Sequence, residues 1–380
     1  MLTPEYIEKI TKGSEFLADQ IRTEGIKRVL ERLMVRLNNE EFFFSQTDRW
    51  QILAMQDARL SLEDITRIIG EHTGLMETEI WNEMLSACIE ATSIDNKIFK
   101  QANIETTDIT RDPYALRLLE RNYEKTIGTW KNFTGTMPLQ TYNAYIEACD
   151  KAYNLVTGGL VSYTDAVKQA CDVIVNNGVK CIEYPSGHKD TPQVATLRAV
   201  RTGINQSAGD ITMARLNEYD WDIVLVSAHL GARYGDGGNN PSNHAWWQGK
   251  FYSRSGESDK FKDFYEATGY GTGEGLCGWN CRHSFGAGDG INNPYEKIDT
   301  EENKKAYDLS QKQRYLERQI RAQKDTVTEW EQIYKGTTRP KEKKEAHKKW
   351  QKARENLYAK NKNYNDFCDE NGLTPFYERL

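Results

Sequence analysis

No window of this 380-residue chain approaches the roughly 18 apolar residues that a membrane-spanning helix needs. The opening residues, MLTPEYIEKI, also lack the basic and then apolar build of a secretory signal. The sequence therefore predicts a protein made and kept in a cytoplasm, unless it leaves inside an assembly. Apolar residues are sparse. They make up 38% of the chain, and mean hydropathy is −0.74. That balance predicts extended helical parts with narrow apolar stripes, with 11% aromatics supplying the large pieces of a core. Cysteines are few and scattered, at 88, 149, 171, 181, 277, 281 and 368. An odd count with one close pair points to free thiols, most of them buried as small apolar residues.

Catalytic motifs are missing too. There is no nucleophile elbow, no metal-protease helix and no paired-carboxylate motif. GYGTGEG, from Gly269, has neither the lysine nor the following helix of a phosphate loop. No nucleophile–base pair stands out, so no catalytic residue is assigned.

What the chain does have is helical periodicity. Thr3-Pro4-Glu5 reads as an N-cap, a first-turn proline and an acid at the positive helix end. Apolar residues then recur at helical spacing to Leu37. Thr47 opens a second helix through Leu60, and Ser61-Leu62-Glu63-Asp64 resembles a capping box for a third, ending near Gly70. Further helices follow over 77–99, from Pro113, and from Tyr142. Thr157-Gly158-Gly159 is a hinge signal. Beyond it the pattern mixes. Val179–Tyr184 alternates like a short strand, Thr191-Pro192 begins a long helix, and Trp221–Ser227 is the clearest strand. Lys250–Ser253 reads as another strand.

From about Glu301 helix returns, broken by Gly336–Pro340 into an antiparallel pair with an apolar seam through Tyr307, Leu316, Ile320, Trp330, Ile333, Trp350, Leu357 and Tyr364. The prediction is an α+β protein. It has a mainly helical N-terminal region (1–156), a small mixed α/β core domain with a short sheet (157–298) and a C-terminal basic helical hairpin (299–380).

Charge is uneven. Lys304 to Lys362 holds 18 Lys and Arg against 8 Asp and Glu, a local +10, within a chain whose net charge is −6. Arg314, Arg318 and Arg321 share one helical face, and Lys341, Lys344 and Lys348 repeat the row on the second arm. Such rows neutralise phosphates without reading sequence. The alternative is a solvated hairpin laced with ion pairs.

The stretch from Trp221 to Phe285 concentrates unusual residues: four tryptophans, three histidines and the close cysteine pair. Cys277, Cys281 and His283 offer three ligands for a structural zinc, with His229 or His244 as the fourth. Against this, Cys277 also reads as a buried small residue, with Arg282 and His283 bonded to loop carbonyls. His229 and His244 are also the right types for an acid and a base, beside Asp236 and Ser227. The adjacent Trp246 and Trp247 read as a structural anchor, one ring on each side of a strand.

These residues resemble the phage minor capsid protein 2 family. The likeness rests on Val226-Ser227-Ala228-His229-x-Gly231-Ala232-Arg233, on Trp247-Gln248-Gly249-Lys250-x-Tyr252, and on Gly269-Tyr270-Gly271 with Gly275-Leu276. It continues in Asn280-Cys281-Arg282-His283-Ser284 and in Gln313-Arg314-x3-Glu317-Arg318-x-Ile320-Arg321. The resemblance implies a structural minor head protein of a tailed bacteriophage. Such a protein is made in the bacterial host cytoplasm and built into the virion, at the capsid interior or portal vertex. Its implied partners are the portal and major capsid proteins and double-stranded DNA, with no membrane and no small-molecule substrate. No catalytic residues come with the family. The alternatives are a zinc-dependent hydrolase, a nuclease or peptidase acting in head maturation, and a packaging factor not retained in the particle.

Overall fold

The computed structural model describes residues 1–380 apart from 40, 41, 44–46, 160, 180, 181, 185 and 186, with the backbone alone at Thr47, Asp48, Glu183 and Glu378. It is mainly helical with a small antiparallel sheet, an α+β architecture. The chain forms two compact units, each drawing on all three of the expected segments. One comprises Met1–Glu15, Leu75–Trp130 and Thr196–Lys312; the other comprises Phe16–Gly74, Lys131–Ala195 and Gln313–Leu380.

Local chemistry sets the helix starts. Helix α1 (Pro4–Ile10) is capped by Thr3, whose Oγ1 accepts the Tyr6 N–H at 3.1 Å. Helix α2 runs Lys12–Asn38. Helix α3 runs Thr47–Gln101, 55 residues without a break. The three helices expected over this span are therefore one. Ser61 does not cap; its Oγ donates to the Asp57 carbonyl at 2.8 Å, inside the helix. Gly70 and Gly74 stand in open space. A glycine costs about 1 kcal/mol in a helix relative to alanine, but it removes no hydrogen bond, so these two lower stability without ending the element. Helices α4 (Pro113–Thr134) and α5 (Met137–Thr157) follow, and Gly159 takes a left-handed φ of +63°.

In the second unit, α6 (Tyr163–Val173) starts at Ser162, whose Oγ accepts the Asp165 N–H. It continues as a π-helical turn over Ile174–Val179. Of the strand expected over 179–184, Ile182–Glu183 form β1, paired antiparallel with β2 (Lys189–Asp190), and Val179 belongs to the π-helical turn. Lys180 and Cys181 lie outside the described residues. Trp50 stacks on Tyr153 at 4.6 Å between centroids. Helices α10 (Thr300–Gly336) and α11 (Pro340–Glu370) make the C-terminal pair. Leu316, Ile320, Tyr364 and Cys368 form one buried cluster of its seam.

The first unit is built on α7 (Pro192–Glu218) and a three-stranded sheet in the order β4-β3-β5. Strand β3 (Ile223–Val226) is central and pairs antiparallel with β4 (Phe251–Ser253) and β5 (Phe285–Ala287). Val224 faces Tyr252 on one side and Ala287 on the other. Strand β5 had no signal in the sequence, since Phe-Gly-Ala between Ser284 and Gly288 shows no alternation. The core beneath the sheet joins Phe99, Leu216, Val224, Val226, Trp247, Phe264, Leu276 and Phe285. Full burial of each large side chain contributes about 1.5–3 kcal/mol. Among the described residues, no helix is long and apolar enough to cross a membrane.

One buried carboxyl of this unit opposes folding as pH rises. Glu83 on α3 is 3% exposed; one oxygen accepts the Ser14 N–H at 2.9 Å and the other has no hydrogen-bond partner. Burial raises its pKa to about 8. A raised carboxyl pKa means the fold prefers the neutral form. That stabilisation is complete below the ordinary value near 4.5 and is lost as pH rises through about 8. Glu83→Gln keeps the acceptor and cannot ionise. It is expected to stabilise the protein at pH 8 by about 1–3 kcal/mol and to be close to neutral at pH 5. Denaturant melts at the two pH values read the difference.

Candidate functional site

The end of β3 feeds the site. Past Val226 the pairing extends through Ser227, whose N–H donates to the Ser284 carbonyl at 2.9 Å, while its Oγ accepts the Ser284 N–H at 2.9 Å. Ser227 is thus a buried strand tie rather than a nucleophile beside a base. Asp236 closes its own loop, accepting from the Gly238 N–H and from Asn240 Nδ2. The loop after His229 is pinned by Asn303 at the start of α10, whose Oδ1 accepts the N–H groups of Gly231 and Ala232 and whose Nδ2 donates to the Ala232 carbonyl.

Trp246 and Trp247 lie on a one-turn helix, α8 (His244–Trp247), not on a strand. Asn243 caps it by accepting the Trp246 N–H. Trp247 is fully buried and donates from Nε1 to the Pro241 carbonyl at 2.9 Å, whereas Trp246 is half-buried. The anchoring role of Trp247 stands, but helical geometry replaces the expected two-sided strand.

The glycine-rich loop that follows α9 (Phe264–Thr268) folds tightly on itself. Gly269 and Gly271 have left-handed φ values of +61° and +92°, and Cys277 and Asn280 join them at +59° and +53°. A Cβ at Gly275 would lie 2.2 Å from the Gly269 carbonyl oxygen, and one at Gly278 would lie 2.3 Å from that of Gly273. This close passage delivers Cys281 and His283 inward.

The imidazoles of His244 and His283 and the thiol of Cys281 come together, with their ligand atoms all within 4.8 Å of one another and all three residues buried. Cys281 Sγ is 3.8 Å from His244 Nδ1 and 3.9 Å from His283 Nδ1. His244 Nε2 lies 2.8 Å from the Glu274 carbonyl oxygen. His283 Nε2 lies 3.0 Å from Gln248 Oε1, which also accepts the His229 N–H at 3.0 Å. Asn205 of α7 holds the loop by donating from Nδ2 to the Cys281 carbonyl.

His229 is half-buried and its ring stacks on that of His283 at 4.4 Å, but its Nδ1 turns to the Leu230 carbonyl at 3.0 Å. Cys277 packs in the apolar core, its Sγ 4.0 Å from the His283 carbonyl. Of the four ligands expected from sequence, Cys281 and His283 are brought together with His244. His229 and Cys277 flank this group. Arg233 donates to the Trp279 carbonyl at 2.8 Å, Arg282 is half-buried, and Asn280 is an exposed turn residue.

Burial lowers the His244 pKa to about 4 and holds His283 well below the ordinary range, with the neighbouring His229 adding to the effect. Burial also lowers His229 and pushes the Cys281 thiol up to about 11. At neutral pH the rings are uncharged, a state suited to accepting a cation but not to acting as general acids. An open pocket of about 470 Å³ on this unit is lined by Arg121, Asp210, Tyr270, Trp279 and others, and by none of the three histidines. Sequence reasoning did not find Asn205 or the Glu274 carbonyl. They are separated from their partners by 76 and 30 residues, and no local pattern marks them.

On the hairpin, Lys341, Lys344, Lys348 and Arg318 are exposed, and Arg314 and Arg321 are half-buried. The Arg321 guanidinium donates to the Arg379 carbonyl. Arg318 and Arg321 border a pocket of about 240 Å³ with Lys189, Asp190 and Thr191.

The sequence pattern of the phage minor capsid protein 2 family matches residues 2–368. The chain belongs to that family, and with it to the structural proteins of bacteriophages. It is also similar to a protein described as "Structural protein" from Lactococcus phage LL-H, with 27% identity over 256 residues. The match covers 63% of this chain and 63% of that relative's length. No solved structure matches.

The glycine contacts give a direct test of the loop. Gly275→Ala and Gly278→Ala each force backbone apart and are expected to lower the melting temperature steeply or abolish folding. Gly271→Ala meets open space and suffers only its left-handed backbone, a cost of about 1 kcal/mol. Calorimetry on the three variants ranks them.

Proposed function

We propose that this chain is a non-catalytic structural component of a tailed-phage head, assembled with the portal and major capsid proteins and touching packaged DNA through the basic hairpin. The observation that carries the reading is the family match over residues 2–368. The chemistry of the site supports it. His244 and His283 are 2% and 1% exposed, and their outer ring nitrogens already face a carbonyl and an amide oxygen. A hydrolytic reading needs a reactive group open to substrate and a base beside it. Here Ser227 and Asp236 serve local backbone geometry instead.

The DNA contact is supported by the +10 span and by the exposed lysine row Lys341, Lys344 and Lys348. Phosphate neutralisation of this kind is indifferent to sequence and steeply salt-dependent. The portal vertex or capsid interior is the location that brings such an arm to DNA.

Mass spectrometry of purified particles is expected to find this chain in every preparation. Its absence from particles, with presence in infected cells, would replace the reading with a packaging factor that is not retained. In solution, the full chain is expected to bind duplex DNA of any sequence, with affinity falling as salt rises. Replacing Lys341, Lys344 and Lys348 together by Ala is expected to reduce the slope of log K against log salt by about 3. Binding that is absent or insensitive to salt counts against the DNA contact and leaves the virion role to the first measurement.

A further inference from the structure

The buried group at the end of β3 has more acceptors than protons. The Glu274 carbonyl can only accept, so His244 Nε2, 2.8 Å away, carries the hydrogen of that ring. Gln248 Oε1 is fixed as the oxygen of its amide because it takes the His229 backbone N–H, so His283 Nε2 must also be the protonated nitrogen. Both Nδ1 atoms are therefore bare lone pairs, and both face Cys281 Sγ, at 3.8 and 3.9 Å. One thiol proton can satisfy only one of them. The sulfur already receives a donor, the His283 backbone N–H at 3.4 Å. A second buried lone pair without a donor is costly.

We propose that His244 Nδ1, Cys281 Sγ and His283 Nδ1 bind a zinc ion that locks α8 to the segment entering β5. Zinc bonds of about 2.3 Å to sulfur and 2.0–2.1 Å to nitrogen, at tetrahedral angles, put sulfur and nitrogen about 3.6 Å apart. The observed spacings exceed that by only a few tenths of an ångström. One thiolate with two imidazoles is a donor set that selects zinc over magnesium or calcium. The second contacts of both rings, a backbone carbonyl and a glutamine oxygen, hold the tautomer that a metal at Nδ1 requires. Binding replaces the thiol proton, so one proton leaves for each ion bound. Among the described residues no fourth carboxylate, thiol or imidazole joins the group, so the chain supplies three of the four ligands that zinc takes. The ligands are buried, so the ion enters as the chain folds and its role is structural.

The full chain, produced in zinc-supplemented medium and dialysed, is expected to carry about one zinc per molecule by elemental analysis. Refolded with cobalt(II) in place of zinc, it is expected to show the strong visible bands of a tetrahedral ion together with a thiolate-to-cobalt band in the near ultraviolet. Cys281→Ser is expected to lose the thiolate band, and His244→Ala to lower the metal content several-fold. The wild-type measurements decide the matter even where a variant fails to fold. Folded wild-type protein that carries no zinc, with a melting temperature unmoved by added zinc, overturns the proposal. So does stoichiometric zinc retained in the Cys281→Ala, His283→Ala double variant.

Discussion

A single oxygen fixes the centre of the first unit. Gln248 Oε1 accepts both the His229 backbone N–H and His283 Nε2–H. It therefore ties the exit of β3 to the entry of β5, and the His283 donor is fully buried. An unpaired buried donor costs about 1–3 kcal/mol, and loss of this oxygen would leave His283 Nε2–H as one. The same bond orients the His283 ring, which stacks on His229 and meets Trp247 edge-on at 4.8 Å. Side-chain positions across three segments thus follow from one amide at the C-cap of a one-turn helix.

What could be read from the sequence depended on whether the signal was local. Strand β3 was visible because four apolar β-formers sit between polar boundaries. The cap at Thr3 was visible because its capping chemistry lies within three residues. The hairpin seam was visible through its helical period: Leu316, Ile320, Trp330, Ile333 and Tyr364 are buried, while Tyr307, Trp350 and Leu357 at its margins are half-buried. The failures have equally physical causes. Ser61 has the chemistry of a cap, but an uninterrupted helix offers its hydroxyl a carbonyl four residues back instead. Strand β5 exists because β3 supplies an edge, not because Phe-Gly-Ala favours extension.

The site shows the same division. The sequence placed Cys281 and His283 together because only Arg282 separates them. His244 was only one of two candidates, since its approach depends on the turn of α8 and on the crossing of a glycine-rich loop 30 residues away. Cys277 is near Cys281 in sequence, yet its left-handed backbone turns it into the apolar core. Proximity along a chain therefore misleads most where several residues have positive φ, as they do between Gly269 and Asn280.

The six described cysteines, Cys88, Cys149, Cys171, Cys277, Cys281 and Cys368, are all unbridged and all buried. Virions of this family leave a reducing host interior for surroundings that oxidise thiols. Oxidation and disulfide exchange require a thiolate that solvent can reach. Thiols enclosed in this way pass from one redox environment to the other chemically unchanged, without the cross-links an extracellular protein ordinarily uses for durability.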